Sequence, residues 1–258
     1  MKKKVRVLII GINSFLGSNI KKKFSKKFSI EGTSHKKKLS ANVKYLNLKK
    51  PKLDFIRKGN YDVIIFCAGK NNLEFCQKNY KEAYKINFLG IKKILKKAIF
   101  QKIFIIFISS NLVFNGNKKF YKATDKPSPK SNYGKLKLKI ENYLKKSKKD
   151  KYCILRLTKV YSLNEGFLKK WKTKKKLNES IALDNNFKIS PVSIDVVLRF
   201  IYKIIIKRLH GIFHVGDKRE FTLGEFFIKK LGKYEKIVYR KNNYKWKNKY
   251  NSLKSNYL

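Results

Sequence analysis

The chain has 258 residues and a formal net charge of +49, carried by 58 lysines and seven arginines against 16 acidic side chains. No apolar run approaches the roughly 20 residues a membrane-spanning helix needs, so a helical membrane protein is excluded. The charge invites a nucleic-acid reading. Its cations, however, are lysines spread over every solvent-facing stretch rather than arginine forks gathered in one patch. No specific nucleic-acid partner is expected, only weak, salt-sensitive attraction to polyanions. The length suits one sizeable core with a smaller lobe. Three cysteines, Cys67, Cys76 and Cys153, fall in or beside expected core elements. Their odd number reads as reduced thiols of a cytoplasmic protein.

The chain starts with a basic stretch and a short apolar run without a small-residue cleavage site, which reads as a first strand over residues 5–10 rather than a signal peptide. A continuously apolar strand of this kind is buried on both faces of a parallel sheet. It runs into Gly11, Ile12, Asn13, Ser14, Phe15, Leu16 and Gly17, and then a helix with a basic outer face. Strand, glycine turn and helix N-terminus form a phosphate site, because unpaired N–H groups and the helix dipole face the anion. With both flanks in place this is a dinucleotide-binding fingerprint. Ser14 holds the middle glycine position, where a positive φ would cost on the order of 1 kcal/mol.

A second strand, residues 28–33, ends in Ser34, His35, Lys36 and the further lysines Lys37 and Lys38. An acidic residue here would read an unphosphorylated ribose. Its absence and the basic run favour a 2′-phosphate, hence NADP, with NAD as the alternative. Residues 43–48 read as a third strand that ends in Asn47 and Leu48, where adenine would lie, and Pro51 opens a short helix. Residues 61–67 are a fourth strand, ending in Ala68, Gly69 and Lys70, small enough to let backbone approach a cofactor. Residues 71–100 read as one helix. Within it Asn87 is either a capping or core amide or a proton relay.

Residues 103–110 form the central strand and deliver Ser109 and Ser110 to its carboxyl end. The next helix carries Tyr133 and Lys137 on one face, one turn apart. A free phenol titrates near 10. A neighbouring ammonium favours the phenolate and brings proton exchange closer to neutrality. Residues 152–157 make a sixth strand. This alternation specifies an α/β fold built on a doubly wound parallel sheet, with ligands beyond the carboxyl ends of the strands. Later, residues 166–187 read as a surface segment, 191–205 as an amphipathic helix, 211–216 as a short strand with a packed His214, and 221–231 as a helix. From residue 240 onward no chemistry is legible. Residues 1–160 are read as the NAD(P)-binding Rossmann domain and 161–258 as a smaller substrate-binding lobe of one integrated unit. No metal-ligand cluster, internal repeat or nucleophile–base triad stands out.

Together these stretches resemble the extended short-chain dehydrogenase/reductases, most closely the dTDP-4-dehydrorhamnose reductase-like branch. GINSFLG is similar to its glycine turn, EGTSH to its second strand end, KINFLGIKKIL to its central helix and ISSNLVFNG to the strand with the catalytic hydroxyl. YGKLK matches the Tyr/Lys pair, while LRLTKVYS, PVSIDVV and GIFHVG match later elements. The resemblance implies an NAD(P)H-dependent reductase of a keto group on a nucleotide-activated sugar. Ser110 would hydrogen-bond the carbonyl, Tyr133 would give the proton, and Lys137 would lower its pKa and hold the nicotinamide ribose. Ser14, Phe15 and Leu16 would touch the pyrophosphate, Asn47 and Leu48 would flank adenine, and Ala68, Gly69 and Lys70 would line the middle of the cofactor. Asn111 stands where the branch usually has aspartate, Leu112 where an aromatic is common, and Lys159 where tryptophan is common. The acid pair that drives dehydration in related enzymes is missing. The alternatives are an epimerase on the same scaffold and a non-catalytic NAD(P)-binding regulatory subunit. A homodimer is the expected assembly.

Overall fold

Seven short runs, most of them rich in Ile, Val, Leu and Phe, become the strands of one sheet in the computed structural model, which describes residues 3–36, 40–147, 151–241 and 244–256, without the side chains of Arg57 and Lys58. In chain order, β1 (Arg6–Ile10) leads into α1 (Phe15–Phe24), followed by β2 (Ser29–Ser34), β3 (Val43–Tyr45), α2 (Asp54–Gly59) and β4 (Val63–Phe66). Next come α3 (Leu73–Lys78), α4 (Tyr80–Tyr84), a π-helical turn (Lys85–Gly90) and α5 (Ile91–Phe100). β5 (Phe104–Ser110), a 3-10 turn (Asn111–Val113), α6 (Asn132–Lys146) and β6 (Tyr152–Leu157) follow. The remainder is β7 (Val160–Tyr161), α7 (Gly166–Lys176), β8 (Ile181–Asp184), β9 (Lys188–Ile189), β10 (Val192–Ser193), α8 (Ile194–Lys207), β11 (Gly211–Val215), α9 (Leu223–Leu231), β12 (Ile237–Arg240) and β13 (Tyr250–Asn251).

The main sheet runs β11-β6-β5-β4-β1-β2-β3, parallel throughout. Chain order reverses between β1 and β4, so the crevice beyond their carboxyl ends is where ligands bind in such sheets. Both faces are covered. Val7, Ile9, Val63 and Ile106 pack with Ile20 and Phe24 of α1 and with Val197, Ile201 and Ile204 of α8. Leu8, Ile10, Ile64 and Phe107 pack with Ile94 and Leu95 of α5 and Ile140 and Leu144 of α6. Each such side chain contributes about 1.5–3 kcal/mol on leaving water. Among the described residues no helix is long and apolar enough to cross a membrane. All three cysteines are free thiols.

Several sequence expectations need correction. Residues 71–100 are not one helix: Asn72 caps α3 by accepting the Phe75 N–H, and Asn79 leaves helical geometry at φ −118°, ψ 53°. The π-helical turn then presses Gly90 on the Leu48 carbonyl, where a Cβ would lie 1.9 Å from the oxygen. The third strand stops at Tyr45, short of Asn47 and Leu48. Residues 166–187 are not merely surface. Leu168, Ile181 and Leu183 join Ile189, Phe226 and Phe227 in a separate small core, whose apolar spacing is obscured by the surrounding lysines. In the second half, α8 and β11 return to the main sheet instead of extending this lobe. Ser193 caps α8, and Thr222 and Glu225 form a capping box on α9, which set these helices' starts.

Beneath the sheet's far side lies a buried charged set. Arg156 donates to both Glu141 carboxylate oxygens, Nη2 to Oε2 at 2.7 Å and Nε to Oε1 at 3.1 Å, and Ser109 Oγ donates to Oε1 at 2.5 Å. Arg156 Nη1 faces His214 Nε2 at 3.2 Å, and His214 Nδ1 lies 3.0 Å from the Tyr121 carbonyl. A carbonyl only accepts, so Nδ1 carries the proton and Nε2 accepts from the guanidinium. The ring is neutral: burial, then the Arg156 charge, pushes its pKa from 6.5 down to about 4. The unfolded histidine therefore binds its proton before the folded one. Stability is full above pH 6.5 and falls as pH drops towards 4, by up to about 1.4 kcal/mol per pH unit. Urea unfolding across that window should show this slope, and His214→Gln should reduce it; an unchanged slope in the variant contradicts the assignment.

Candidate active site

The glycine turn is built by steric need. Gly11 has φ +88°, and a Cβ there would lie 2.8 Å from Ala68; on Gly17 it would lie 2.3 Å from the Gly11 carbonyl oxygen. Ser14 needs no positive φ. It is extended at φ −72°, ψ 161° and caps α1, its hydroxyl accepting from Gly17 N at 3.1 Å. The strain expected at this position is therefore absent. Among the described residues no partner takes the N–H of Phe15 or Leu16, and no acid occupies the first turn. Two free donors at the positive end of a ten-residue helix form an anion cradle.

At the end of β2, Asn13 donates to Ser34 Oγ at 3.1 Å, and Lys36 N donates to the same oxygen. His35 and Lys36 are exposed, while Lys37 and Lys38 fall outside the described residues. The acid on β2, Glu31, is engaged elsewhere, with Lys44 and with Tyr61 Oη at 2.7 Å. Asn47 is exposed and accepts the Lys49 N–H, and Leu48 packs on the α5 side of the sheet. Gly69 sits at φ +150°, and Asn87 grips the next residue: Oδ1 accepts from Lys70 N at 2.7 Å and Nδ2 donates to Lys70 O at 2.8 Å. With both ends of its amide so used, Asn87 braces the loop after β4, and it also lines the cleft described below.

The second half of the site depends on how closely α6 approaches β5. Ser131 caps α6 by accepting Gly134 N at 3.1 Å. A Cβ on Gly134 would sit 2.0 Å from the Leu112 carbonyl oxygen, so only glycine lets the helix meet the turn after Ser110. Tyr133 and Lys137 then face the strand end. Lys137 Nζ donates to the Ile108 carbonyl at 2.7 Å and lies 5.7 Å from the Tyr133 ring centre. Ser110 Oγ donates to Asn111 Oδ1 and accepts from Leu112 N, both at 3.2 Å.

These groups do not titrate as the sequence suggests. Burial pushes the Tyr133 phenol above its usual 10. Burial also pulls Lys137 from 10.5 down to about 8, against the opposing pull of Cys67, Glu141 and Cys76. The ammonium is committed to a carbonyl, and desolvation outweighs its influence on the phenol. Without ligand, Tyr133 is a protonated phenol at neutral pH.

One cleft of 260 Å³ gathers Ser14, Phe15, Leu16, Ala68, Gly69, Ser110, Tyr133 and Lys137. Gly11, Asn13 and Gly17 shape its turn from behind, while Ser34, His35, Lys36, Asn47, Leu48 and Lys70 lie outside its lining. Ser109, expected at this strand end, also lines it, and so do Cys67, Asn71, Ile108, Leu157, Thr158 and Val160, which escaped the sequence reading. Their signal was available: most of them end, or directly follow, a parallel strand. Lys159 holds its ammonium 4.6 Å from the Phe167 ring centre, at the lobe side. Among the described residues no group of His, Cys, Asp and Glu could hold a metal.

A buried ammonium held below its unfolded pKa destabilises the fold while charged. That cost is fully felt below pH 8 and vanishes above 10.5. Lys137→Met should therefore raise stability near neutrality by roughly 1–3 kcal/mol, with the gain fading above pH 10.5. Thermal or urea unfolding at both ends of that range checks it; a destabilised variant near neutrality contradicts it.

Residues 5–241 match the family model of the RmlD substrate binding domain. The dTDP-4-dehydrorhamnose reductase of Sinorhizobium fredii is 25% identical over 77% of this chain and 73% of its own length. Methionine adenosyltransferase 2 subunit beta of Xenopus tropicalis is 29% identical over 53% of this chain, a match that spans 41% of that protein. The crystal structure of the Bacillus anthracis dTDP-4-dehydrorhamnose reductase in complex with NADP superposes with a TM-score of 0.86 at 22% identity, covering 99% of this chain and 91% of that one. That likeness establishes a shared fold with a mostly parallel central sheet. With the family model covering nearly the whole chain, this protein belongs to the RmlD substrate binding domain family.

Proposed function

We propose that the protein is a cytoplasmic NADPH-dependent reductase of a nucleotide-activated keto-sugar, with NADH as the weaker alternative donor. The observation that carries this is the single cleft shared by the α1 N-terminus and the Ser110, Tyr133 and Lys137 side chains. The Phe15 and Leu16 N–H groups would hold a pyrophosphate, and Ser34, His35 and Lys36 a ribose 2′-phosphate. Asn47 and Leu48 would flank adenine, and Ala68, Gly69 and Lys70 would run beside the middle of the dinucleotide. Residues beyond 160, with the small core of α7, β8 and α9, would receive the sugar nucleotide.

When bound, a reduced nicotinamide supplies the hydride that a keto carbon accepts. Tyr133, kept protonated by burial, releases its proton to the carbonyl oxygen. Ser110 hydrogen-bonds that oxygen. Lys137 stabilises the phenolate left behind, and the phenol regains its proton from solvent through the cleft. The product is the corresponding hydroxy-sugar.

A second reading, a subunit that binds the dinucleotide without turnover, draws support from the likeness to methionine adenosyltransferase 2 subunit beta. Tyr133→Phe separates the two. In a reductase it should lower kcat by about 10²–10⁴-fold while the NADPH Kd rises by no more than about tenfold, the loss of one hydrogen bond. Tight NADPH binding by the wild type, with no NADPH oxidation across dTDP- and UDP-linked keto-sugars, would favour the subunit. For the cofactor, Lys36→Ala should raise the NADPH Kd by about tenfold, the loss of one charge-assisted hydrogen bond, and leave NADH affinity unchanged. Equal effects on both dinucleotides would remove the role given to Lys36.

A further inference from the structure

The last described residues, 244–256, form a strap between two parts of the molecule. On one side it is stitched to the loop that follows Ser110. Asn248 Nδ2 donates to the Phe114 carbonyl at 2.9 Å and Tyr250 N to the Gly116 carbonyl at 3.1 Å; Ser252 Oγ accepts from Phe120 N at 2.8 Å. On the other side β13 pairs with β9, next to the small core of the second half. The side chain that joins both halves is Asn251.

Its amide has one allowed orientation. Asn251 Nδ2 donates to the Lys188 carbonyl at 3.0 Å and the Asn248 carbonyl at 3.2 Å. Carbonyls only accept, so the nitrogen must face them and Oδ1 must face the other way. Asn111 Nδ2 donates to that Oδ1 at 3.0 Å and to the Asn251 carbonyl at 3.4 Å. The orientation is passed on: Asn111 turned over would set its oxygen against two oxygens. Its Oδ1 is thereby aimed at Ser110, whose hydroxyl donates to it at 3.2 Å while accepting from Leu112 N at 3.2 Å. In the free protein the Leu112 N–H thus locates the Ser110 oxygen, and the single hydroxyl proton rests on Asn111 Oδ1 until a substrate carbonyl takes it. Pre-set placement of this kind removes an ordering step from the reaction.

We propose that Asn251 and Asn111 are positioning residues that hold the Ser110 hydroxyl in place and tie it, through β13 and β9, to the substrate-binding half of the chain. Asn251 does not line the cleft, and Asn111 touches Ser110 rather than the reacting atoms. The pairing is specific to an amide at position 111. A carboxylate there would place a negative oxygen against the Asn251 carbonyl and Oδ1, so the strap and the turn are matched to each other. This inference rests on the reductase reading for its kinetic consequence, though its structural link can be measured without turnover.

Three variants test it in the full chain: Asn251→Ala, Asn251→Asp and Asn111→Ala. Asn251→Ala and Asn111→Ala should each lower kcat by about fivefold to tenfold, the effect of losing one or two net hydrogen bonds, with KM for NADPH unchanged. Together they should cost no more than one alone, because both break the same chain of bonds. Asn251→Asp sets a carboxylate oxygen against the Lys188 and Asn248 carbonyls, where the amide nitrogen donated, so it should lower kcat at least as much as Asn251→Ala, and a wild-type rate in it would contradict the proposal. Exchange of the Leu112 amide proton, which needs no substrate, should speed up in Asn251→Ala. Unchanged kcat per folded molecule, even with a lowered melting temperature, would overturn the proposal by showing that the strap is only structural. A wild type inert towards every keto-sugar would sink the reductase reading instead; the positioning link then stands or falls on the Leu112 exchange alone.

Discussion

The site depends on a close approach that only one residue type allows. The Leu112 carbonyl oxygen sits where a side chain on Gly134 would have to be, so α6 can lie against the turn after β5. A single methyl group there would push the helix outward and carry Tyr133 and Lys137 with it. A similar crowding acts at the opposite side of the cleft, where Gly11 backs on Ala68 and Gly17 on the Gly11 carbonyl. Register does the rest. Ile10 pairs with Phe66, Phe66 with Phe107, and Ser110 with Leu157, so neighbouring strands end at one rim. Residues nearly a hundred positions apart in the chain share one cleft because their strands stop together.

The charges around the cleft divide into those that hold the fold and those left free for ligand. Glu141, Arg156 and His214 satisfy one another beneath Ser109, with almost no exposure to water. A buried pair of this kind adds little net stability, yet breaking it is costly. Lys137 is different: it lies near Glu141 on the same helix but makes its hydrogen bond to a carbonyl, and it is held below its normal pKa by burial. Its incomplete satisfaction suits a group that must later meet a polar ligand. The lysine excess elsewhere has no comparable organisation, and most of it lies on exposed faces.

Much of this was legible beforehand because it rests on patterns a single chain displays. Continuous apolar strands, the glycine turn and the Tyr133–Lys137 spacing each follow from local chemistry, and the sheet order agrees with them. What escaped were features set by distant contacts. The break in residues 71–100 depends on Asn79 and on the meeting of Gly90 with Leu48, which are far apart in the chain. Ser14 read as a strained glycine substitute until its capping bond to Gly17 became visible. The tail after residue 240 looked empty because its asparagines act through partners more than fifty residues away, at Asn111 and Lys188. The phenol's direction of titration was misjudged for a related reason: spacing shows that a lysine is near, but not that burial of the phenol decides its titration.

The most direct measurement is a crystal structure of the protein with bound NADP. The account predicts the pyrophosphate on the Phe15 and Leu16 N–H groups, the 2′-phosphate beside Ser34, His35 and Lys36, and the nicotinamide ribose within hydrogen-bond reach of Tyr133 Oη and Lys137 Nζ. A dinucleotide bound elsewhere, or one whose nicotinamide lies away from the Tyr133 phenol, would contradict it.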